Sequence, residues 1–232
     1  MKNITLFIFL IIIAGNIKAA ENREQIAVID TGVSFSQSTS NEVLCENGRK
    51  SMFRDSGLDR NGHGRNIIGI ISKKINIKKQ CIVSYKVWKD GTSEKSIIKN
   101  TIDAIKDAIS RNVKYINISM GGDGFNSREF EVVRKALNKG ITIIVASGNG
   151  DEITNRGIDL DKNCRFFPAC YRDRFPHKNF HVVSTVDLLS SNYGSVVTDK
   201  VFGSNISGGG VTLSGTSQAT AVVTSNLIST EK

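Results

Sequence analysis

Proline is scarce in this sequence: two of its 232 residues are proline, whereas 21 are glycine. This balance suggests regular secondary structure in which segments of the backbone approach one another closely. The sequence also lacks internal repeats, low-complexity tracts and linkers, so we expect one domain, for which its length is ordinary. Apolar residues make up 39% and charged residues 23%, which excludes a disordered chain and a bundle of membrane spans.

Long hydrophobic runs are absent except at the N-terminus. There Lys2 precedes an apolar run from Ile4 to Ala14, and Ala19-Ala20 supplies small residues for cleavage. This layout is typical of a secretory signal peptide, whereas a membrane anchor needs about 20 apolar residues. We predict that residues 1–20 are a cleaved signal peptide. The mature chain would then be secreted or periplasmic, without a membrane partner.

Nucleic-acid-binding motifs are absent as well. The formal net charge is +9, and a basic surface can attract nucleic acid or anionic membranes. However, the lysines and arginines are scattered, and short pairs such as Lys73-Lys74 are typical of a solvated surface. We therefore expect no nucleic-acid partner.

Four cysteines follow the predicted signal peptide: Cys45, Cys81, Cys164 and Cys170. An even number in an exported chain favours two disulfides, for which three pairings exist. A Cys164–Cys170 pair would close a short local loop and leave Cys45–Cys81 as the longer link. Because no CxxC or paired-histidine spacing is present, the zinc interpretation is weak. We assign no metal ligands.

Segments typical of strands and of helices alternate along the rest of the sequence. Two consecutive strand–helix–strand units run from Cys81–Trp88 through Val113–Ser119 to Ile141–Ala146. The first connecting helix carries isoleucines at spacings of three and four residues, and the second spans about Ser127–Asn138. These units predict a three-layer α/β fold, with a mainly parallel sheet and helices on both faces.

Residues that could carry chemistry cluster at the expected edge of that sheet. Asp30, Ser119 and Asn149 lie at or just past strand ends, where binding sites of parallel sheets gather. His63 and Ser217 each begin a predicted helix. Each residue alone has a structural explanation, such as a turn former or a helix cap. Together they supply the nucleophile, base, orienting carboxylate and oxyanion donor that peptide-bond hydrolysis needs.

The chain order Asp, His, Ser and the segments around these residues resemble the subtilisin-like serine peptidase family, the subtilases or peptidase S8 family. The resemblance covers about residues 25 to 228. Five segments carry it: Ala27-Val28-Ile29-Asp30-Thr31-Gly32-Val33, Asn61-Gly62-His63-Gly64, Ser119-Met120-Gly121-Gly122, Ala146-Ser147-Gly148-Asn149-Gly150 and Gly215-Thr216-Ser217-Gln218-Ala219.

The resemblance implies a subtilisin-like peptidase domain over residues 21–232 and a serine endopeptidase that forms an acyl-enzyme. Ser217 would attack the scissile carbonyl, His63 would take and return its proton, and Asp30 would orient His63. Asn149 would stabilise the oxyanion together with the Ser217 N–H. Three residues would bind the backbone of a peptide or protein substrate by β-augmentation: Ser119, Met120 and Gly121. No cofactor would be required.

The sequence departs from the family's usual pattern near His63 and at both ends. Arg65 stands where the family usually has threonine, and its charge should lower the pKa of His63. No pro-domain is evident before the Asp30 strand, and the chain ends fifteen residues beyond Ser217. We therefore expect a C-terminally short, marginally stable domain, or one completed by a folding partner. Structural calcium is common in the family, but no acidic cluster assigns its ligands.

Two other interpretations stay open. Asp30-Thr31-Gly32 is also the motif of aspartic peptidases, but their catalytic dyad needs two carboxylates. That interpretation leaves His63 and Ser217 without a role. The second alternative is a catalytically inactive binding protein or decoy on the same fold. The presence of every residue type that the reaction needs argues against it.

Overall fold

A computed structural model describes residues 22–150 and 153–230, so the predicted signal peptide lies outside the described residues. The described strands are β1 (Glu24–Asp30), β2 (Leu44–Ser51), β3 (Gln80–Lys86), β4 (Tyr115–Ile118), β5 (Gly122–Asp123), β6 (Thr142–Ala146), β7 (Phe166–Phe167), β8 (Phe180–Thr185), β9 (Asp199–Val201), β10 (Ile206–Gly208) and β11 (Val211–Leu213). The described helices are α1 (Gln37–Val43), α2 (His63–Ile71), α3 (Glu94–Ser110), α4 (Ser127–Asn138), α5 (Tyr171–Arg174) and α6 (Thr216–Ser229).

Seven strands form one parallel sheet in the order β2-β3-β1-β4-β6-β8-β9. The chain places β2 and β3 on one side of β1 and the later strands on the other side. A topological switch therefore occurs at β1, the strand that Asp30 ends, and such switch points are where α/β sheets bind ligands. The predicted parallel α/β fold is confirmed.

Helices cover both faces of the sheet because successive residues of a strand point in opposite directions. In β1, Ala27 and Ile29 belong to the apolar core shared with α3 and α4. Ile26 and Val28 belong to the core shared with α2 and α6. All four side chains are fully buried, which is why the central strands read as nearly continuous apolar runs.

Helix α4 has the bounds that the sequence predicts. The Asn126 side chain accepts hydrogen bonds from the N–H groups of Arg128 and Glu129 (both 3.1 Å) and so caps its start. Just past its end, Gly140 has a φ of +83°, a conformation that glycine adopts without the steric cost of a Cβ.

Two disulfides join the four cysteines. Cys45–Cys81 links the neighbouring strands β2 and β3, and Cys164–Cys170 closes a short loop around β7. That loop is tied to the segment that follows β4, because β7 pairs with β5 in a separate antiparallel ribbon. In the described parts of the chain, no helix combines the length and apolar character that a membrane span requires.

Candidate active site

Asp30 and His63 meet at the end of β1. Asp30 is 1% exposed; its Oδ1 accepts a hydrogen bond from the Thr31 N–H and lies 2.8 Å from Nδ1 of His63. An ionised carboxylate can only accept, so Nδ1 of His63 carries the proton and Nε2 of the neutral ring is left as a base. The His63 side chain remains 25% exposed.

The pKa of His63 lies above its ordinary value. Burial of the imidazole alone would lower it, but the charge of Asp30, the Asp30 hydrogen bond and the charge of Asp59 together outweigh burial. The expectation that Arg65 would lower this pKa was wrong. The Arg65 side chain packs against Gly209 in the turn between β10 and β11, so carboxylates rather than the guanidinium dominate the charge around His63.

Asp59 holds the start of α2. The helix follows Gly62, which has no side chain to cap it. Instead, Oδ1 of Asp59 accepts from the Gly62 N–H (2.9 Å) and Oδ2 accepts from the Arg65 N–H (2.8 Å). Asp59 is itself buried, at 8% exposure. A carboxylate in this position satisfies helix N–H groups that have no partner within the helix.

Thr31 connects this cap to the end of β1. Its hydroxyl donates to Oδ1 of Asp59 (3.0 Å) and accepts from the Gly64 N–H (2.8 Å). The strand that supplies Asp30 is therefore bonded directly to the helix that supplies His63. Asp59 was not predicted from the sequence; the available signal was an acidic residue just before a predicted helix start.

Ser217 is the second residue of α6. Its hydroxyl donates to the carbonyl oxygen of Ser119 (2.7 Å), and the Ser119 hydroxyl lies 3.1 Å from the Ser217 carbonyl oxygen. No hydrogen bond among the described residues joins the Ser217 hydroxyl to His63. The structure thus brings both residues to one cleft, with the hydroxyl turned towards Ser119.

Asn149 lies beside the start of α6. Its Oδ1 accepts from the Thr216 N–H (2.9 Å) and the Thr216 hydroxyl (3.0 Å). These two bonds fix the orientation of the amide, so that the Nδ2 donors do not face Thr216. The Ser217 N–H has no acceptor within the helix because it belongs to the first turn. Asn149 and the positive end of α6 therefore line the same cleft as Ser217.

Most of these residues border one cleft of about 570 Å³, and the buried Asp30 and Asp59 lie behind its lining. His63, Asn149 and Ser217 line it, as do the three predicted substrate-binding residues Ser119, Met120 and Gly121. Apolar side chains that were not predicted complete its walls: Trp88, Ile97, Ile98, Phe166 and Phe167. Such a cleft can hold an extended chain across the Ser217 hydroxyl.

Comparison with known proteins identifies the family. The subtilase family model, peptidase S8, matches residues 22–228. The chain belongs to this family. The subtilase is 33% identical over 176 residues to alkaline protease 1 of Aspergillus flavus, and this alignment covers 70% of the chain and 41% of that protein. It is 28% identical over 182 residues to the alkaline proteinase of Hapsidospora chrysogena, and that alignment covers 73% of the chain and 42% of the proteinase. The chain thus spans less than half the length of these curated relatives.

Solved structures agree on the fold of this subtilase. A cold-adapted subtilisin-like serine proteinase superposes with a TM-score of 0.62 at 26% identity, covering 89% of this chain and 75% of that one. A lanthipeptide protease gives 0.68 at 19% identity, covering 87% and 71%. At that lower identity the likeness concerns the fold alone. Family membership favours the subtilase interpretation over the aspartic peptidase.

A buried hydrogen bond joins α2 and α6, the two helices whose first turns carry His63 and Ser217. Nε2 of Gln218 donates to Oδ1 of Asn66 (3.0 Å), and Nδ2 of Asn66 donates to the Val211 carbonyl (2.7 Å). Asn66 is one turn beyond His63, and Gln218 directly follows Ser217. The pair therefore sets the register between the two helix starts of this subtilase, although neither residue was predicted.

Asn192 braces the turn that presents Asn149. Its Nδ2 donates to the Ser147 carbonyl (2.8 Å), and its N–H donates to the Gly148 carbonyl (2.9 Å). The residue is 1% exposed, so the turn is held from inside the protein. No sequence signal singled out Asn192, because it lies 43 residues beyond Asn149 in the chain.

Glu129, in the first turn of α4, is a buried acid on the cleft wall. It is 6% exposed, and its Oε2 accepts from the Tyr171 hydroxyl (2.7 Å). Burial raises the pKa of Glu129 more than this hydrogen bond lowers it. Across the described ranges, no group of three or more His, Cys, Asp or Glu side chains could hold a metal ion. The expectation that catalysis needs no cofactor stays a prediction.

Proposed function

We propose that this subtilase is a serine endopeptidase that hydrolyses peptide bonds through an acyl-enzyme intermediate. One observation carries the proposal: His63, which is bonded to the buried Asp30 carboxylate, and Ser217, at the start of a second helix, line the same cleft. The protonated Nδ1 leaves Nε2 of His63 as a base. Asn149 and the start of α6 supply donors for a developing negative charge.

The proposed acylation step begins with rotation of the Ser217 hydroxyl from the Ser119 carbonyl towards Nε2 of His63. Oγ then bonds to the scissile carbonyl carbon while its proton passes to Nε2. Asp30 stabilises the resulting imidazolium, and the carbonyl electrons move onto an oxygen that accepts from Nδ2 of Asn149 and the Ser217 N–H. As the C–O bond re-forms, the C–N bond breaks and the proton on Nε2 leaves with the amine.

Deacylation repeats these steps with water. His63 takes a proton from the water as its oxygen bonds to the acyl carbon, and the tetrahedral species collapses with loss of Ser217. The proton on Nε2 returns to Oγ, and a carboxylic acid leaves. Every proton is moved by His63, so the proposed reaction uses no cofactor, and activity should survive a chelator as long as the fold does.

An extended peptide would be the substrate. Ser119, Met120 and Gly121 follow the end of β4 and line the cleft, where their backbone could pair with a substrate strand. Two disulfides support an oxidising compartment. Together with the predicted signal peptide, they support a secreted or periplasmic enzyme.

Fluorophosphonate labelling of the purified protein tests this function. We expect one adduct, on Ser217 by mass spectrometry, and none in the Ser217→Ala variant. Labelled protein should also lose cleavage of a quenched fluorescent peptide library. A folded protein that takes no label and cleaves no peptide would instead be the inactive binding protein.

A further inference from the structure

Phe166 lies between two glycine-containing segments at the edge of the cleft. It belongs to β7, opposite Asp123 of β5. A Cβ added at Gly121 would lie 2.6 Å from Cε1 of its ring, and one added at Gly148 would lie 3.0 Å from Cγ and Cδ1. One end of the ring therefore rests against Gly121 and the other against Gly148. Neither glycine could carry a side chain without displacing the ring.

The same two segments adjoin residues of the proposed reaction and line the cleft. Gly121 follows Ser119, whose carbonyl oxygen is 2.7 Å from the Ser217 hydroxyl, and Gly148 precedes Asn149. The substrate residue that carries the scissile carbonyl is called P1. If this carbonyl lies over the Ser217 hydroxyl with its oxygen at Asn149, the P1 side chain points between the two segments. The ring of Phe166 occupies this space.

The ring is held in place rather than lying loosely in the cleft. Its residue packs against the apolar core beneath α3 and α4. The Phe166 carbonyl accepts from the Cys170 N–H (2.9 Å), within the loop closed by the Cys164–Cys170 disulfide. The preceding carbonyl, of Arg165, accepts from the Gly124 N–H (3.1 Å). These bonds fix the backbone from which the ring projects, so the ring could leave only by rotating against the packing around it.

We infer that Phe166 closes the P1 pocket, so that this subtilase selects peptides with glycine or alanine at P1. The inference rests on the proposed function and adds the substrate class to it. A larger P1 side chain would have to displace a packed aromatic ring, and overpacking of an occupied space is costly. Phe166 is thus a specificity-determining residue of the cleft.

Matched peptide p-nitroanilides that differ only at P1 test the inference. Wild-type protein should give a kcat/KM at least about tenfold higher with alanine than with leucine or phenylalanine, since one methylene alone is worth about tenfold or more in an apolar pocket. Phe166→Ala should reverse the order, and Phe166→Leu should give an intermediate ratio. Phe202→Ala, which removes a 70% exposed ring outside the cleft lining, should leave the ratio unchanged.

The wild-type profile tests the inference even where a variant does not fold. A wild-type preference for phenylalanine or leucine overturns it, as does an unchanged ratio in folded Phe166→Ala protein. If no peptide is cleaved, the proposed function fails, and binding then decides the inference. Calorimetric titration of Ser217→Ala and of Ser217→Ala/Phe166→Ala with the alanine and phenylalanine peptides should show the same reversal; equal affinities would overturn it.

Discussion

Helices α2 and α6 begin in similar ways but are held by groups of different charge. Each follows a glycine that provides no side-chain cap, Gly62 or Gly215, and each carries a residue of the proposed reaction within its first two positions. At α2 the Asp59 carboxylate accepts from the Gly62 and Arg65 N–H groups. At α6 the Thr216 N–H is taken by the neutral amide oxygen of Asn149.

This difference matches the charge that each helix start must stabilise in the proposed reaction. A carboxylate offsets the positive end of α2, so an imidazolium on His63 is not repelled, and Asp59 contributes to the raised pKa of that ring. The amide at α6 satisfies an N–H without adding negative charge. The positive end of that helix stays available to an oxyanion. The variants below exchange or remove these charges.

The largest effect is expected from Asp30→Asn. An amide cannot accept from Nδ1 with the strength of a carboxylate and can donate to it, which favours the tautomer that has no base at Nε2. We expect kcat to fall by about 10⁴-fold, as when the corresponding group is changed in other triads. The pKa of His63 should also fall, which moves the acid limb of the kcat/KM profile to lower pH. Fluorophosphonate labelling of Ser217 in proportion to the residual activity would show that the site is still assembled. A fall in kcat of less than tenfold would exclude the proposed role of Asp30.

Removing the neutral amide at α6 should have the next largest effect. Asn149→Ala should lower kcat by about 10²–10³ with little change in KM, because the donor acts on the transition state. Asn149→Asp keeps an acceptor for Thr216 but places a negative charge beside the oxyanion. It should therefore be slower than Asn149→Ala. Steady-state kinetics above pH 7 compare the two; an aspartate variant faster than the alanine variant would contradict the electrostatic difference between the helix starts.

The parts of the fold that the sequence predicts are those with local causes. Helix α4 could be bounded because Asn126 and Gly140 flank it with opposite conformational preferences. The bounds of strand β2 could not be predicted, because this strand lies at the sheet edge and carries polar and exposed residues. The two-residue strands β5 and β7 form only when Gly122 and Phe167 meet across the cleft, and no local pattern encodes such a pair.

The same division holds within the site. Asp30, His63, Asn149 and Ser217 stand in distinctive short segments, so they could be named in advance. The orientation of the Ser217 hydroxyl and the position of the Phe166 ring depend on contacts between distant segments. The expected effect of Arg65 failed for the same reason: adjacency to the His63-Gly64 segment did not determine where its side chain packs.

A smaller effect is expected from Asp59→Asn, which removes the charge at α2 but keeps the size of the side chain. Loss of the charge should lower the pKa of His63, so the acid limb of kcat/KM should move to lower pH while the maximum falls about tenfold or less. A weakened helix cap should also cost about 1 kcal/mol of stability. pH profiles and urea denaturation measure both effects. Asp55→Asn is the matched control, because the Asp55 carboxylate pairs with Lys86 and is not among the charges that act on His63. An acid limb of kcat/KM that moves to higher pH in Asp59→Asn would refute the role of the Asp59 charge.

The smallest effect concerns a third helix start, that of α4, where the buried Glu129 faces the Tyr171 hydroxyl instead of a cation. Its pKa is raised on folding by burial, so the folded state binds the proton more tightly than the unfolded state. Glu129 therefore contributes stability that is present below its unfolded pKa and lost as pH rises through its folded pKa. Glu129→Gln keeps an acceptor for Tyr171 without the charge. Its Tm should exceed that of the wild type at neutral pH and converge with it in acid. Glu131→Gln is the matched control: Glu131 lies on the same helix but is 57% exposed and paired with Arg134, so this variant should show no pH-dependent gain in Tm. A lower Tm for Glu129→Gln than for the wild type at pH 7 would instead mean that the Glu129 carboxylate is stabilised in place, as the Asp59 carboxylate is at α2.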